Sequence, residues 1–373
     1  MTKAPLGIFG ETRLPVELAR HAPGFIYTSP ELYAREKDKI FMRDWLCMGR
    51  EEEIPNKGDY IATRVLDEPV LIVRGEGGAI NVMANVCAHR GAEVATGCGN
   101  KRAFTCPFHG WTYNLEGRLV GAAHMDGGFD AAACTLPRLR AARWKGWIFI
   151  NFDEQAPAFP VYAEQFERDF GYLRMEDCRL AVKTVSEVDC NWKLVVENLI
   201  DFYHLNVVHR GTNGRSFTGE AFKFTPRPGG RYIALYNSGP STPSQKPVFG
   251  KAPWMEDRPD DFSTAGLLPP NFTLFGRVDS VHPYITWPLG LSRTRVIVYT
   301  LLPKIYFDRP NFAEQAEAYR TFQTQVLAED KEMLASVQNG VGSRKFFPGR
   351  MATLERGSQH VLNAYLDRMF PGQ

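Results

Sequence analysis

Short apolar and β-branched runs, separated by Gly, Asn and Pro, dominate the chain from about residue 59 to about residue 155. The clearest of them are Pro69–Arg74, Ile80–Met83 and Trp147–Phe152. Runs of this length between turn-forming residues are typical of β-strands. The pattern therefore predicts a small all-β domain in this part of the chain.

The C-terminal half mixes helix-like and strand-like patterns. Trp192–Leu205 and residues 311–339 read as helices, and β-type runs recur at Val182–Val188, Tyr232–Tyr236, Asn271–Val278 and Thr294–Thr300. This mixture predicts an α+β fold with helices packed on an antiparallel sheet. The Gly-, Pro- and Ser-rich stretch Asn237–Gly250 is predicted to be a mobile surface loop or lid. We place one domain at residues 40–155 and the other at residues 1–39 and 156–373.

The composition is that of an ordinary globular protein: of 373 residues, 44% are hydrophobic and 23% are charged. This excludes a collagen-like, coiled-coil or mostly disordered chain. A balance of 44 Lys and Arg against 42 Asp and Glu argues against a dedicated nucleic-acid binder. The first 25 residues contain no apolar signal core, and no stretch approaches the roughly 20 apolar residues that span a bilayer. We expect a soluble, cytoplasmic protein whose seven cysteines are reduced thiols or metal ligands.

Two short segments of the β domain each combine one cysteine with one histidine. They are Cys87 with His89 and Cys106 with His109, and a glycine follows closely behind each histidine. Two thiolates and two imidazoles suit either tetrahedral zinc or a Rieske [2Fe–2S] cluster, in which the Cys pair binds one iron and the His pair the other. Zinc fingers usually pair Cys with Cys and His with His. The mixed pairs therefore favour the Rieske cluster, with structural zinc as the alternative.

A second group of candidate ligands follows Trp192. Asp201 and His204 are three residues apart, which makes them neighbours on one helical face. His204 and His209 are five apart, or about 140° around a straight helix, so the helix must loosen or end near Leu205–Val208 for both to bind one metal. Two histidines by themselves are more often surface or core residues than metal ligands.

Three segments carry a resemblance to a known family: CAHRG from Cys87, CPFHGW from Cys106 and ENLIDFYHLNVVH from Glu197. Together they resemble the Rieske-type non-haem iron oxygenases, the family of aromatic-ring-hydroxylating oxygenase alpha subunits. The resemblance covers essentially the whole chain. It implies a small antiparallel β Rieske domain and a helix-flanked antiparallel β-sheet domain that holds the catalytic iron.

The resemblance also implies roles for individual residues. The [2Fe–2S] cluster would be held by Cys87, His89, Cys106 and His109. A mononuclear Fe(II) would be bound by His204, His209 and one carboxylate. Asn198 matches an Asn beside the substrate pocket, and Asp201 matches an acid that links the iron site to His109 of the partner subunit. A contact of that kind implies a ring-shaped homo-oligomer, most simply a trimer.

The family places its third iron ligand on a late helix, where Asp330 and Glu329 compete for the role here. The apolar stripe of that helix contains Tyr319, Phe322, Val326, Met333, Leu334 and Val337. At about 100° per residue, Asp330 lies about 30° from the centre of the stripe and Glu329 about 70° away. An acid inside an apolar stripe is costly unless it is paired or bound to metal. We therefore choose Asp330 and keep Glu329 as the alternative.

The implied activity is oxidation of a small molecule by O2, with electrons from a separate NAD(P)H-dependent reductase, with or without a ferredoxin. We predict mono- or dihydroxylation of a small aromatic compound. The alternatives are N- or O-demethylation of a quaternary ammonium or methoxy compound and a non-enzymatic Rieske electron-transfer protein. The predicted pocket residues are Asn198, Phe202, Val207, Phe272, Leu274, Tyr284 and Trp287. Arg210 is a candidate partner for a substrate carboxylate or for a structural ion pair.

Overall fold

The chain forms two compact units in the computed structural model, which describes residues 7–373. One unit is Met42–Ala156, and the other combines the chain up to Phe41 with Pro157–Gln373. The first six residues, which the sequence analysis assigned to the second domain, lie outside the described residues. Among residues 7–373, no helix has the length and apolar character needed to cross a bilayer.

The smaller unit is an all-β structure, as predicted. Its strands are β1 Leu46–Arg50, β2 Asp59–Val65, β3 Glu68–Arg74, β4 Ile80–Ala84, β5 Cys98–Asn100, β6 Phe104–Thr105, β7 Thr112–Tyr113, β8 Leu119–Gly121, β9 Arg140–Trp144 and β10 Trp147–Asn151. They form antiparallel sheets with the orders β1-β10-β9, β4-β3-β2-β5 and β6-β7-β8. Met83, Phe104 and Tyr113 belong to a buried cluster that also contains Cys87 and Cys106. The two candidate cysteine ligands are therefore anchored in the core of this unit.

The larger unit is a seven-stranded antiparallel sheet flanked by helices, which confirms the α+β prediction. Its strands are β11 Cys178–Val188, β12 Lys223–Pro226, β13 Tyr232–Asn237, β14 Phe262–Leu268, β15 Phe272–Arg277, β16 Val281–Gly290 and β17 Arg293–Pro303. Its helices are α1 Phe25–Thr28, α2 Pro30–Glu36, α3 Phe159–Phe170, α4 Trp192–Ile200, α5 Leu205–Val208, α6 Phe312–Val341 and α7 Arg356–Met369. The sheet order is β11-β17-β16-β15-β14-β13-β12.

Helix α4 ends earlier than the sequence predicts. The backbone at Asp201 is extended, with φ −81° and ψ 109°, and α5 begins only at Leu205. The amide of Tyr203 donates a hydrogen bond to Oδ1 of Asp201, 2.7 Å away. A short acidic side chain that accepts from the backbone two residues ahead competes with the helix. The prediction that Asp201 and His204 share a helical face is therefore wrong, because both lie in the turn between α4 and α5.

The N-terminus of α4 is held by a buried carboxylate, Glu36, which has no exposed surface. Lys193 Nζ is 2.6 Å from Oε1 of Glu36, Trp192 Nε1 donates to Oε2, and the Tyr365 hydroxyl donates to Oε1. Burial lowers the pKa of Lys193, while the Glu36 carboxylate acts in the opposite direction. Three donors on one buried acid satisfy a charge that would otherwise be costly. They fix the helix that carries Asn198.

We expect Tyr365→Phe to lower the free energy of unfolding by about 1.5–3 kcal/mol, the usual value of a hydrogen bond to a charged group. The change removes the donor 2.6 Å from Oε1 of Glu36 and leaves the ring in place. Denaturant unfolding measures the effect. Tyr203→Phe is the matched control, because Tyr203 is 60% exposed. Equal stability of the two variants would show that the hydroxyl contributes nothing to the buried cluster.

The stretch Asn237–Gly250 is not wholly a surface loop, so the prediction of a mobile lid is wrong for its first part. Ser238, Ser241 and Thr242 are buried. The Ser263 hydroxyl donates to the carbonyl of Ser238 at 2.8 Å, and the amide of Gly239 donates to Oγ of Ser216 at 2.8 Å. These contacts pack the beginning of the loop against the sheet, where it can form part of a cavity wall.

Candidate metal centres and substrate cavity

The two Cys–His segments form loops of the same shape. The amide of Gly91 donates to the carbonyl of Cys87 at 2.9 Å, and the amide of Gly110 donates to that of Cys106 at 3.1 Å. Both glycines have positive φ, 78° and 74°, a conformation that favours glycine. Each loop thus places its cysteine in the core and its histidine at the surface. The rings of His89 and His109 come together, with centroids 4.6 Å apart.

The environment of these loops fits a thiolate-bound cluster. The Tyr113 hydroxyl lies 3.2 Å from Sγ of Cys87 and accepts a hydrogen bond from the amide of Ala88. Burial raises the pKa of the Cys87 thiol, but hydrogen bonds from Tyr113, the backbone and Cys106 outweigh it, so the net shift is downward. A lowered thiol pKa favours the thiolate, the form that binds metal. His89 stacks on Trp111, with the ring centroids 4.8 Å apart.

The second group of ligands comes together around α5 and α6. His204 lies just before α5, His209 directly after it, and Asp330 on α6. One donor atom from each lies within 4.8 Å of those from the other two. Nε2 of His209 is 3.1 Å from Oδ1 of Asp330, and Nε2 of His204 is 3.8 Å from the same oxygen. One cation could therefore contact all three residues.

The hydrogen bonding of His204 indicates that this group is built for a metal. Both of its ring nitrogens are buried and form no hydrogen bond among residues 7–373, although Oδ2 of Asp201 lies 3.3 Å from Nδ1 and Oδ1 of Asp330 lies 3.8 Å from Nε2. A buried polar group left without a partner costs about 1–3 kcal/mol. Two histidines and one carboxylate that leave other positions open are the donor set of non-haem Fe(II) oxygenases. The residues present thus fit a mononuclear iron held by His204, His209 and Asp330.

Glu329 takes a different position from Asp330. Nδ1 of His209 donates to Oε2 of Glu329 at 2.7 Å, which leaves Nε2 facing Asp330. Glu329 also accepts hydrogen bonds from the Thr212 hydroxyl at 2.7 Å and from Nε2 of Gln325 at 3.0 Å. A metal-binding histidine is commonly oriented in this way by an acid on its other nitrogen. The geometry therefore favours Asp330 as the ligand and makes Glu329 the residue that orients His209.

Asn198 and Asp201 contact the same group from α4 and the turn that follows. Nδ2 of Asn198 donates to Oδ1 of Asp330 at 2.9 Å. Oδ2 of Asp201 is 3.3 Å from Nδ1 of His204. The structure thus brings both predicted residues to the ligands, with Asn198 on the carboxylate and Asp201 on the imidazole. Their catalytic roles stay predictions.

A cavity that opens to solvent adjoins these ligands, and its empty space, including the part open to solvent, is about 570 Å³. Its aromatic lining comes from Phe202, Tyr236, Phe275 and Tyr284. Phe202 packs against Tyr236 with ring centroids 4.7 Å apart, and Phe275 packs against Tyr284 at 5.2 Å. The sequence analysis named Phe202 and Tyr284 but missed the other two, whose contribution depends on which face of each strand is turned to the helices.

Strand alternation determines which residues reach the cavity. Phe275 and Arg277 line it from β15, and His282 and Tyr284 line it from β16. Successive side chains on a strand point to opposite faces, and Phe275 is paired in register with His282. These four residues therefore share one face of the sheet.

Several predicted pocket residues lie elsewhere. Phe272, Leu274 and Trp287 are buried but have the opposite parity on their strands, and none of them lines the cavity. Val207 is 75% exposed. Arg210 is also exposed and lies outside the cavity lining. The pocket prediction is therefore wrong for Phe272, Leu274, Trp287 and Val207. For the three strand residues the reason is that a strand buried on both faces gives no hydrophobic alternation from which to choose a face; Val207 lies on the exposed side of α5.

The polar part of the lining contains an arginine that the sequence analysis missed. Arg277 is 4% exposed, and its Nη1 donates to the Tyr236 hydroxyl at 2.6 Å. Its Nε is buried without a hydrogen-bond partner in the described chain, and so is the hydroxyl of Ser238, another lining residue. Burial, followed by the positive charge of Arg277, lowers the pKa of His282 to about 3. The imidazole of His282 is therefore neutral at physiological pH.

Comparison with protein families identifies both parts of the chain. The family described as "Rieske [2Fe-2S] domain" matches residues 44–137. The family described as "Ring hydroxylating alpha subunit (catalytic domain)" matches residues 175–370, more than half of the chain. The first match contains all four Cys and His residues of the paired loops, and the second contains the His–His–Asp group.

Among curated relatives, the carnitine monooxygenase oxygenase subunit of Acinetobacter baumannii is 35% identical over 196 residues, which are 51% of this chain and 52% of that protein. The glycine betaine monooxygenase oxygenase subunit of Chromohalobacter salexigens is 35% identical over 50% of this chain and 42% of its own. The chain thus matches about half the length of these relatives. The chloroplastic choline monooxygenase of Arabidopsis thaliana is 26% identical over 94% of this chain and 83% of its own.

Two solved structures share the fold. The quaternary ammonium Rieske monooxygenase CntA superposes with a TM-score of 0.78 at 23% identity, over 99% of each chain. Naphthalene 1,2-dioxygenase from Rhodococcus superposes with a TM-score of 0.76 at 22% identity, over 94% of this chain and 95% of that one. The paired Cys–His loops, the His–His–Asp group and both family matches lead to one assignment: this chain belongs to the Rieske-type non-haem iron oxygenases, as an alpha subunit with a [2Fe–2S] domain and a mononuclear-iron catalytic domain.

Proposed function

We propose that this protein is the oxygenase component of a monooxygenase that hydroxylates a C–H bond of a small quaternary ammonium compound. One oxygen atom of O2 enters the product, and the other is released as water with two protons and two electrons. The relatives named for carnitine and glycine betaine support this substrate class over the small aromatic compound that the sequence alone favoured.

The observation that carries the proposal is the composition of the cavity wall. The three candidate iron ligands lie in the same wall as four aromatic side chains. A quaternary ammonium has no N–H to donate, so it is attracted mainly by the faces of aromatic rings within about 6 Å. An aromatic cavity beside an iron site can therefore hold such a cation with a C–H bond near the metal.

The residues around the ligands have definable tasks. When bound, the [2Fe–2S] cluster and the mononuclear Fe(II) supply one-electron transfer and activation of O2. Asn198 holds the Asp330 carboxylate through Oδ1, and Glu329 holds His209 so that its Nε2 points to the ligand group. Asp201 occupies the Nδ1 side of His204. These contacts keep the donor atoms in place while substrate enters and leaves.

The proposal extends to partners and location. Electrons would come from a separate NAD(P)H-dependent reductase, with or without a ferredoxin. Within a homo-oligomer, most simply a trimer, Asp201 would meet His109 of the partner subunit, as the family resemblance implies. We propose a cytoplasmic location, as the sequence analysis expects.

Hydroxylation of a small aromatic compound is the second candidate. The same four aromatic side chains could pack against a planar ring in offset or edge-to-face geometry. The buried guanidinium and hydroxyl groups in the lining argue against a wholly apolar ligand, because it would leave them without partners.

A substrate screen separates the two candidates. With a surrogate reductase, we expect glycine betaine, L-carnitine or choline to stimulate O2 uptake together with stoichiometric hydroxylated or dealkylated product. Naphthalene and benzoate serve as the aromatic comparisons. Catalase in the assay distinguishes product formation from release of hydrogen peroxide.

Product from the aromatic compounds alone would contradict the proposal and support the second candidate. Metal analysis distinguishes both oxygenase candidates from a non-enzymatic electron-transfer protein. An oxygenase holds about three irons per chain, and a Rieske electron carrier holds about two.

A further inference from the structure

Arg277 is a buried cation that forms no ion pair within the described chain. The ion pairs among residues 7–373 do not include it, and its one hydrogen bond to a side chain goes to the neutral Tyr236 hydroxyl. Its guanidinium also lies 5.2 Å from the centroid of the Tyr236 ring. Burying a guanidinium without a carboxylate is costly, so the residue requires an explanation.

The acid two residues further along does not supply the missing partner. Asp279 is buried, and its carboxylate accepts hydrogen bonds from the Tyr319 hydroxyl at 2.5 Å and from the Ser280 hydroxyl at 2.8 Å. Burial raises the pKa of Asp279 and the positive charge of Arg277 acts to lower it, but the two side chains form no ion pair and Asp279 does not line the cavity. The carboxylates that do line it, Asp201 and Asp330, already contact His204 and Asn198.

A second unpartnered group lies on the same side of the sheet. Ser238, directly after β13, has a buried hydroxyl without a hydrogen-bond partner in the described chain. Ser263 on β14 connects the two: it is paired in register with Arg277, and its hydroxyl donates to the carbonyl of Ser238. Arg277 and Ser238 thus line the same cavity, and each has a buried polar atom with unused hydrogen-bonding capacity.

We propose that Arg277 and the Ser238 hydroxyl bind the carboxylate of a zwitterionic substrate, whose quaternary ammonium group lies among the aromatic side chains of the same cavity. The inference rests on the proposed function and narrows its substrate class to betaines. A guanidinium presents parallel N–H donors that match the two oxygens of a carboxylate. Choline, which carries the cation without the anion, would instead meet an uncompensated positive charge.

The neutral polar residues nearby are consistent with a carboxylate at Arg277 and an ammonium group among the aromatic side chains. The Tyr284 hydroxyl donates to Oε1 of Gln323 at 2.8 Å, and His282 contacts the Ser280 hydroxyl and Gln323. These groups satisfy one another, so they do not compete for a ligand. Arg277 is then the specificity-determining residue, and the aromatic side chains alone cannot distinguish a betaine from choline.

Equilibrium binding to the iron-loaded, anaerobic protein tests the proposal, with glycine betaine, L-carnitine and choline as ligands in titration calorimetry. We expect wild type to bind at least one zwitterion more tightly than choline. Arg277→Gln should raise the Kd of that zwitterion by about 10- to 100-fold and leave the Kd of choline unchanged or lower. Ser238→Ala should produce a smaller shift of the same kind, and Arg344→Gln, at an exposed position, should produce none.

Several results would overturn the inference. A loss of zwitterion and choline binding to the same extent in Arg277→Gln, or unchanged binding of both, would show that Arg277 is structural. If Arg277→Gln fails to fold, Arg277→Lys replaces it. That variant keeps the positive charge but lacks the paired N–H donors of the guanidinium, so it must still weaken binding of the zwitterion more than binding of choline. If wild type binds choline at least as tightly as either zwitterion, the narrowing to betaines fails while the proposed function stands. Binding of none of the three compounds would reject the proposed function itself.

Discussion

Replacing Asp330 with asparagine is expected to empty the mononuclear iron site and abolish product formation while the [2Fe–2S] cluster stays intact. The asparagine keeps the shape of the side chain, including an oxygen that Asn198 can contact, but removes the negative charge between His204 and His209. Two neutral imidazoles hold ferrous iron far less tightly than the triad does. Iron should fall from about three to about two atoms per chain, with the Rieske EPR signal unchanged.

The neighbouring acid supplies the matched control. Glu329→Gln alters the contact that orients His209 without removing a predicted ligand. Changes to such orienting contacts typically cost about 10–100-fold in metal affinity or activity. Activity of this variant should therefore recover at saturating Fe(II), whereas that of Asp330→Asn should not. The reverse outcome, with iron retained by Asp330→Asn and lost irreversibly by Glu329→Gln, would exchange the two assignments.

Features set by local spacing could be predicted from the sequence. The Cys–His loops depend on two five-residue segments that end at Gly91 and Gly110, so their motif contains most of their geometry. The choice of Asp330 depended on the apolar stripe of one long helix, and α6 does bury this acid. In the first case one short motif determines the loop, and in the second the helical period of one element determines which acid is buried.

Features set by contacts between elements could not be predicted. The break after Ile200 depends on the Asp201 side chain accepting from the backbone, which helix propensity does not reveal. The substrate cavity depends on which face of β15 is covered, and both faces of that strand are mostly buried. An arginine at the end of a strand usually indicates surface, so Arg277 gave no sign of its burial.

Asp201 lies where two cavities of the larger unit meet. One contains the candidate iron ligands, and the other is lined by His21, Glu197 and Glu355. Oδ2 of Asp201 faces Nδ1 of His204, while Nε2 of the same ring faces Asp330. The imidazole thus lies between the acid and the ligand group. This position suits a residue that fixes the ring and connects the iron site to the second cavity.

We expect Asp201→Asn to retain both metal centres but to lower reductase-coupled product formation by about 10–100-fold, the usual cost of losing an acid behind a metal-bound histidine. The amide oxygen can still accept from the Tyr203 backbone, so the turn that carries His204 should persist. Iron and sulfide analysis, EPR and coupled turnover measure the separate effects. Glu197→Gln changes an acid that lines only the second cavity, and it should leave turnover nearly unchanged. Near-normal coupled turnover of Asp201→Asn would contradict the proposed link from the iron site through Asp201 to His109 of the partner subunit. Loss of iron in that variant would instead make Asp201 a structural support of His204.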